Sequence, residues 1–292
     1  MRNFDFLEAH TVKEASQILD YYGDRCRLMA GGTALMLVLR QRMLAADYLV
    51  SIARIDAMKG IHFDPGTGLR IGALSRHIDV AKSPLVQQHY PMLAAMARQV
   101  ANPQVRNQGT LGGNLCYADP QTDPSSCLLA LGASVVLTSQ RGERVLGLPD
   151  FLLDYYATAL EPDEVLTAIT VPPPVDGQAG LYLRHLRTAA EHRPLCNLAL
   201  SVRNEDGICR AASLVVGAST PVPARLPKTE ALMLGNAMTP ELARVVSDSA
   251  AGEMSALDDS RASESFRRQV AAVMARRAIS SLFGVTLDQG EM

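Results

Sequence analysis

The pattern of apolar and polar positions divides the chain into runs of different period. Thr11 followed by Glu14 is a capping-box signature, hydroxyl and carboxylate each satisfying an otherwise orphan amide. Ala15, Ile18, Leu19 and Tyr22 then recur at helical spacing. Residues 26–30 are a short apolar run that ends in Gly31-Gly32-Thr33. Residues 34–43, rich in Leu and Met, predict a helix, and residues 48–52 a strand. Residues 1–55 therefore read as a β-α-β unit with a glycine turn where strand gives way to helix.

After residue 60 the pattern shortens. Residues 69–73 predict a strand, 78–82 a short helix and 92–100 a longer one. The stretch 101–123 is dense in Asn, Gly, Pro and Gln and fits neither period; ordered loops of that length are usually functional. Asp123 can cap a helix with Pro124 at its first position, stopped by Gly132. Residues 133–138 and 144–148 predict a hairpin across Arg141-Gly142.

Pro172-Pro173-Pro174, with Asp176-Gly177 after it, is the clearest linker. It separates residues 1–175, with subdomains 1–55 and 56–175, from residues 176–292. The latter begin with strand-like runs at 181–187, 197–203 and 209–216, the last two joined through Asp206-Gly207, and end in helices near 229–234, 240–251 and 264–282. The expected class is α+β, with an antiparallel sheet backed by helices at the C-terminal end.

Composition narrows the function classes. Lys and Arg number 28 against 30 Asp and Glu, so net charge gives no drive toward nucleic acid. Five cysteines without a CxxC fit a reducing compartment better than a disulfide framework. The opening MRNFDFLEAH is acidic where a signal peptide is basic, and no apolar run reaches 18 residues. The expectation is a cytoplasmic protein without a membrane span.

Candidate chemistry concentrates in two turns. Ala30-Gly31-Gly32-Thr33 lies between strand and helix, where glycine permits positive φ and close approach of a phosphate to backbone amides. It matches neither the Walker A nor the GxGxxG pattern, and taken alone it reads first as a purely structural tight turn. Thr110-Leu111-Gly112-Gly113-Asn114 repeats the hydroxyl-plus-diglycine arrangement, and the pair suggests a diphosphate held from both sides. Asp119 and Asp123 can accept hydrogen bonds from ribityl or ribose hydroxyls, although Asp123 also suits the helix cap. The six histidines are scattered, with no HExxH and no Cys/His cluster. A diphosphate cradle without an acid-base or nucleophile set points to a cofactor that brings its own chemistry. Arg184, His185 and Arg187 supply positive charge either to an anionic ligand or to a solvated face.

AGGT at 30–33 and NQGTLGGNLCYADPQTD at 107–123 resemble the FAD-binding medium subunit of the molybdenum hydroxylases, the group of carbon monoxide dehydrogenase, xanthine dehydrogenase and 4-hydroxybenzoyl-CoA reductase. The likeness spans essentially the whole chain and includes a loose Tyr182-x-Arg184-x-x-Arg187 pattern. It implies a vanillyl-alcohol-oxidase-like (PCMH-type) FAD-binding domain of two subdomains followed by a smaller C-terminal domain. By the resemblance, Ala30, Gly31, Gly32, Thr33 and Ala34 wrap one side of the FAD pyrophosphate, and Thr110, Gly112, Gly113 and Asn114 the other. Tyr117 lies nearby, Asp123 takes the ribityl chain, and Ile71 belongs to a strand beside the cofactor. Val100 and Leu195 occupy the positions on the two faces of the isoalloxazine.

Departures are visible as well. Ala34 stands where relatives usually carry Asp, Ser or Asn, Val100 where some carry an aromatic, and the cysteine-rich insertion of the benzoyl-CoA type is missing. The resemblance implies non-covalent FAD here. It puts the molybdopterin on a large partner subunit and the [2Fe-2S] clusters on a small one, with a dimer of heterotrimers as a possible assembly. Electrons from substrate oxidised on the large partner would pass through this chain to an external acceptor. A non-catalytic FAD-binding regulatory or assembly module and a stand-alone flavin oxidase are the alternatives.

Overall fold

The computed structural model describes residues 3–286. Near the N-terminus, Asp5–Glu8, Tyr48–Ser51 and Cys26–Met29 form a parallel sheet in that spatial order, with the helices Val12–Tyr22 and Leu35–Arg40 in the connections. The first helix starts as the capping pattern requires: the Glu14 amide donates to Thr11 Oγ1 at 3.1 Å. The Glu14 carboxylate reaches one residue past the cap, to the His10 amide at 2.8 Å. The second helix is shorter than its apolar pattern suggests, because Arg42 adopts a left-handed φ of 58°.

A five-stranded antiparallel sheet follows, in the order Ile61–Asp64, Gly68–Gly72, Val165–Val171, Ser134–Ser139, Gly142–Gly147. Its central strand, Val165–Val171, is buried along nearly its whole length and so shows no alternation in sequence. The stretch 101–123 is not irregular, as its composition suggests, but holds two short helices, Pro103–Gln108 and Leu111–Tyr117. Each is opened by a side-chain cap: Asn102 Oδ1 accepts from the Val105 amide at 2.9 Å, and Thr110 Oγ1 from the Gly113 amide at 3.1 Å. Helices of six and seven residues are too short to display a period, so these caps were their only legible mark.

The chain packs as two compact units. The first takes residues up to Leu85 with Ala101–Asp119 and Ala133–Pro173; the second takes Val86–Val100, Pro120–Gly132 and the residues from Pro174 onward. In the second, Gln178–His185, Cys196–Glu205, Ile208–Gly217 and Ala224–Arg225 form an antiparallel sheet in chain order. Asp206 and Gly207 turn the middle hairpin with φ of 53° and 83°, the left-handed pair that a two-residue loop needs. One face of the sheet, through Leu198, Leu200, Leu214 and Val216, packs on the helices Pro240–Glu253 and Glu264–Phe283. The opposite face meets Pro91–Gln99 and Pro124–Ala130; Ser126 Oγ, for instance, donates to Asn197 Oδ1 at 2.6 Å. Helices on both faces explain why Cys196–Glu205 is buried without alternation over its first seven residues. Among the described residues no helix is long and apolar enough to cross a membrane.

Candidate cofactor site

In the first unit the strand Cys26–Met29 runs directly into the turn at 30–34. Gly32 has φ +68°, and Ala34 stands at the cap position of the next helix with no side-chain oxygen to offer. The amides of Met36, Leu37 and Val38 are taken by the carbonyls of Gly32 and Ala34. The amides of Gly31, Gly32, Thr33 and Ala34 find no acceptor among the described residues. Consecutive free donors of this kind are what a backbone-built anion site requires. The helix behind them has only six residues, so these amides, rather than a macrodipole, are what an anion would meet.

The second turn is braced against the first. A Cβ at Gly31 would lie 2.1 Å from the Gln108 carbonyl oxygen, and one at Gly109 would lie 3.2 Å from Thr33 Oγ1. Its own amides are already engaged: Leu111 donates to Ser75 O, Gly112 to Ala73 O, Gly113 to Thr110 Oγ1 and Asn114 to Thr110 O, all at 2.9–3.1 Å. A Cβ at Gly112 would sit 2.6 Å from that of Ala73. What this turn has to offer is side-chain chemistry, from the Thr110 hydroxyl and from Asn114, whose buried Oδ1 has no partner among the described residues. Ala30, Gly31, Gln108 and Thr110, with Lys59 and Arg76, help to line a cavity of ≈ 710 Å³, within the usual range for ligand pockets. Both cations already have partners, Asp56 at 2.7 Å and Asp79 at 2.8 Å. Ile71 is fully buried, and its neighbour Ala73 is the residue that meets Gly112. The Tyr117 ring stands edge-on to that of Tyr156, with centroids 5.2 Å apart.

The second unit holds the other three expected positions. Asp123 occupies the cap position of Pro124–Ala130, yet its side chain does not cap the helix. It accepts instead from the Tyr182 hydroxyl at 2.6 Å and from Arg184 Nη1 at 3.2 Å. Burial raises its pKa to about 6, and Arg184 and Tyr182 offset only part of that rise. Burial likewise raises the pKa of the Tyr182 hydroxyl, with the nearby Asp123 adding to the effect. Val100 ends the helix Pro91–Gln99 and is buried; Arg184 Nη1 also donates to the carbonyl of Gln99, one residue earlier. Leu195 is buried too, and its carbonyl accepts from Ser219 Oγ at 2.9 Å and from Arg267 Nη1. The structure thus gathers 30–34 with 110–114 in one unit, and Gln99, Asp123 and Arg184 in the other. Sequence reasoning gave Tyr182 no part in the site, although Tyr182 and Arg184, two apart on a strand, share a face.

The family described as FAD binding domain in molybdopterin dehydrogenase matches residues 2–174, and that described as CO dehydrogenase flavoprotein C-terminal domain matches residues 182–282. Among curated proteins, the glyceraldehyde dehydrogenase medium chain of Sulfolobus acidocaldarius is 28% identical over 96% of this chain and 98% of its own length. The carbon monoxide dehydrogenase medium chain of Hydrogenophaga pseudoflava is 29% identical over 95% and 96%. A solved structure of the Hydrogenophaga pseudoflava carbon monoxide dehydrogenase superposes with a TM-score of 0.93 at 30% identity, covering 97% of this chain and 98% of that one. The architecture is accordingly the PCMH-type FAD-binding fold of two subdomains with a C-terminal domain of antiparallel sheet and helices. The chain belongs to the FAD-binding medium subunits of the molybdenum hydroxylase family, the FAD-binding components of molybdopterin oxidoreductase complexes.

Proposed function

We propose that this chain holds one non-covalent FAD and serves as the electron-transfer subunit of a molybdenum hydroxylase. In this role it receives electrons from [2Fe-2S] clusters on a small partner and passes them to an external acceptor, while substrate is hydroxylated on a large molybdopterin-binding partner. The observation that carries the reading is the run of four free amides at 31–34 in a chain that matches this family along almost its whole length. The orphaned Asn114 Oδ1 and the close approaches at Gly31 and Gly112 fit the same cradle.

FAD, when bound, would supply the redox chemistry that no side chain here provides. The chain's own residues bind and orient it. Gly31, Gly32, Thr33 and Ala34 would present amides to the pyrophosphate, with Ala30 at the start of their turn. Thr110 and Asn114 would add side-chain hydrogen bonds, and Gly112 and Gly113 let their turn pack closely. Asp123, oriented by Tyr182 and Arg184, has lone pairs left for ribityl hydroxyls. By the family resemblance Val100 and Leu195 would face the ring, although both are buried in the second unit without it; Tyr117 and the strand through Ile71 would frame the turns of the first unit.

The test is visible-range flavin reduction in the complex purified from its native source, with molybdenum, iron and flavin analysis of the same sample. Bleaching by the partner's substrate only when the partners are present supports the relay. A metal-free flavoprotein that is reduced directly by a small substrate would replace it with the stand-alone oxidase reading.

A further inference from the structure

In the first unit a short antiparallel ribbon sets a histidine against the turn at 30–34. Leu111 donates its amide to Ser75 O at 2.9 Å and His77 donates to Gly109 O at 3.1 Å, with Arg76 opposite Thr110. Successive residues of such a ribbon face opposite ways. His77 therefore lies opposite Gly109, away from the face of Arg76 and Thr110 that lines the cavity. Gly109 has φ −66° and ψ 136°, a conformation open to any residue. A Cβ there would lie 2.9 Å from Val105 O, 3.2 Å from Thr33 Oγ1 and 3.4 Å from His77 Cδ2. The imidazole edge and the Thr33 hydroxyl thus face each other across the space that the glycine leaves.

Neither group is satisfied. His77 is only 2% exposed, yet its Nδ1 is enclosed without a partner and its Nε2 makes no hydrogen bond among the described residues. Buried polar groups are normally paired, so an imidazole with neither nitrogen engaged calls for an explanation. The Thr33 hydroxyl also has no hydrogen bond among the described residues, and its own amide belongs to the free run 31–34. Burial lowers the His77 pKa to about 4, and Arg106 on the adjoining helix Pro103–Gln108 adds to the effect, so the ring is neutral at pH 7. A neutral imidazole carries one N–H and one bare nitrogen. An N–H on the enclosed Nδ1 would be a buried donor without an acceptor, which is the costlier omission. That places the proton on Nε2, the nitrogen beside Cδ2.

We propose that His77 is a positioning residue of the anion site: its Nε2–H donates to Thr33 Oγ1 when an anion occupies the amides of 31–34, and this directs the Thr33 hydroxyl proton onto the anion as a fifth donor. The proposal rests on the reading of 31–34 as the pyrophosphate turn, and it needs residues of the first unit only. A hydroxyl that accepts on one side donates more strongly on the other. The ring stays neutral throughout and brings no pH dependence to the turn.

The test uses the full chain with FAD. It compares wild type, Thr33→Val, His77→Leu, the double variant and His77→Gln, whose side-chain amide can donate in place of Nε2–H. The readouts are FAD affinity by fluorescence titration and the flavin-free melting temperature. Thr33→Val and His77→Leu are each expected to weaken FAD about tenfold. Together they should still weaken it only about tenfold, because two residues acting through one hydrogen bond do not add. His77→Gln should return affinity to within about twofold of wild type, whatever it does to the melting temperature. A double variant about a hundredfold weaker, or a His77→Gln variant no better than His77→Leu, would make His77 a packing residue and overturn the proposal alone. Should His77→Leu fail to fold, nitrogen NMR of the wild-type imidazole decides. FAD should leave the proton on Nε2 and slow its exchange with water; a proton on Nδ1, or unchanged exchange, overturns the proposal. A wild-type chain that binds no FAD would overturn the flavin reading and the proposal with it.

Discussion

The two regions expected to hold the cofactor are built from different materials. In the first unit the turns at 30–34 and 110–114 are made of backbone and small side chains, and no charged group lies within either. In the second, Asp123, Tyr182 and Arg184 form a buried polar cluster with one full charge of each sign. A backbone-built site is insensitive to pH and sensitive to any added Cβ; a charge-built one is the reverse. Even the two turns are not equivalent: the first leaves four amides free, whereas the second engages its own and contributes through Thr110 and Asn114.

The largest effect should come from the charge-built region. The Asp123 pKa is raised from 3.8 to about 6 by burial, with Arg184 and Tyr182 opposing the shift. A carboxyl whose folded value exceeds its unfolded one favours folding below the unfolded value, and that contribution is lost as pH rises through the folded value. Relative to the non-titrating variant Asp123→Asn, the wild type should therefore lose roughly 3 kcal/mol between pH 3 and 7, at about 1.36 kcal/mol per unit. Urea denaturation of both flavin-free proteins across that range checks it. A flat difference would show that Arg184 compensates the carboxylate fully.

Second in size is Gly112→Ala. Its Cβ would fall 2.6 Å from Ala73 Cβ and 2.8 Å from Ala73 O, both on the strand end that receives the Gly112 amide. Overpacking of this kind costs about 1–3 kcal/mol, and here it should be independent of pH. Flavin-free stability and FAD affinity should fall together, because this glycine serves packing between protein segments first. Loss of affinity at unchanged stability would mean that the ligand, not Ala73, demands glycine.

How much of this was legible in the sequence follows from the same division. Thr11, Asp206-Gly207, Pro124 and Gly132 carry their local consequences in one or two residues, and the elements they bound stand where the pattern put them. The diglycine turns were legible too, as small-residue clusters out of period. Which amides they leave free was not, because that depends on Ser75 and Ala73, more than thirty residues earlier. Asp123 read as a helix cap because capping is a local rule, but a strand nearly sixty residues later supplies its partners. The strand Val165–Val171 was missed because burial on both faces removes the alternation that marks half-buried strands.

Gly32→Ala should separate the two kinds of turn more cleanly. At φ +68° an alanine is strained by about 1–2 kcal/mol. The nearest atoms to its Cβ, Met29 Sδ at 3.3 Å and Cγ at 3.4 Å, belong to a flexible side chain. Stability should therefore fall less than for Gly112→Ala. Distortion of the free amides should lower FAD affinity at least tenfold, about 1.4 kcal/mol. Fluorescence titration with FAD alongside a melting curve measures both quantities. An affinity loss no larger than the stability loss would remove the functional distinction between the turns.

The smallest effect is a gain. Ala34 sits at the cap position with φ −89° and ψ −48°, a helical rather than extended conformation. The Leu37 amide that a capping hydroxyl would seek already donates to the Ala34 carbonyl at 3.0 Å. Ala34→Ser should therefore add less than the roughly 1 kcal/mol of an ordinary cap. Its hydroxyl would instead stand beside the free amides of 31–34 as one more donor toward an anion. One hydrogen bond of about 0.5–1 kcal/mol corresponds to a two- to fivefold gain in FAD affinity, with the flavin-free melting temperature unchanged. If the melting temperature rises while affinity stays constant, the hydroxyl has turned inward to the helix. The first turn would then engage its own backbone as the second does, and the contrast between them would not bear on the cofactor.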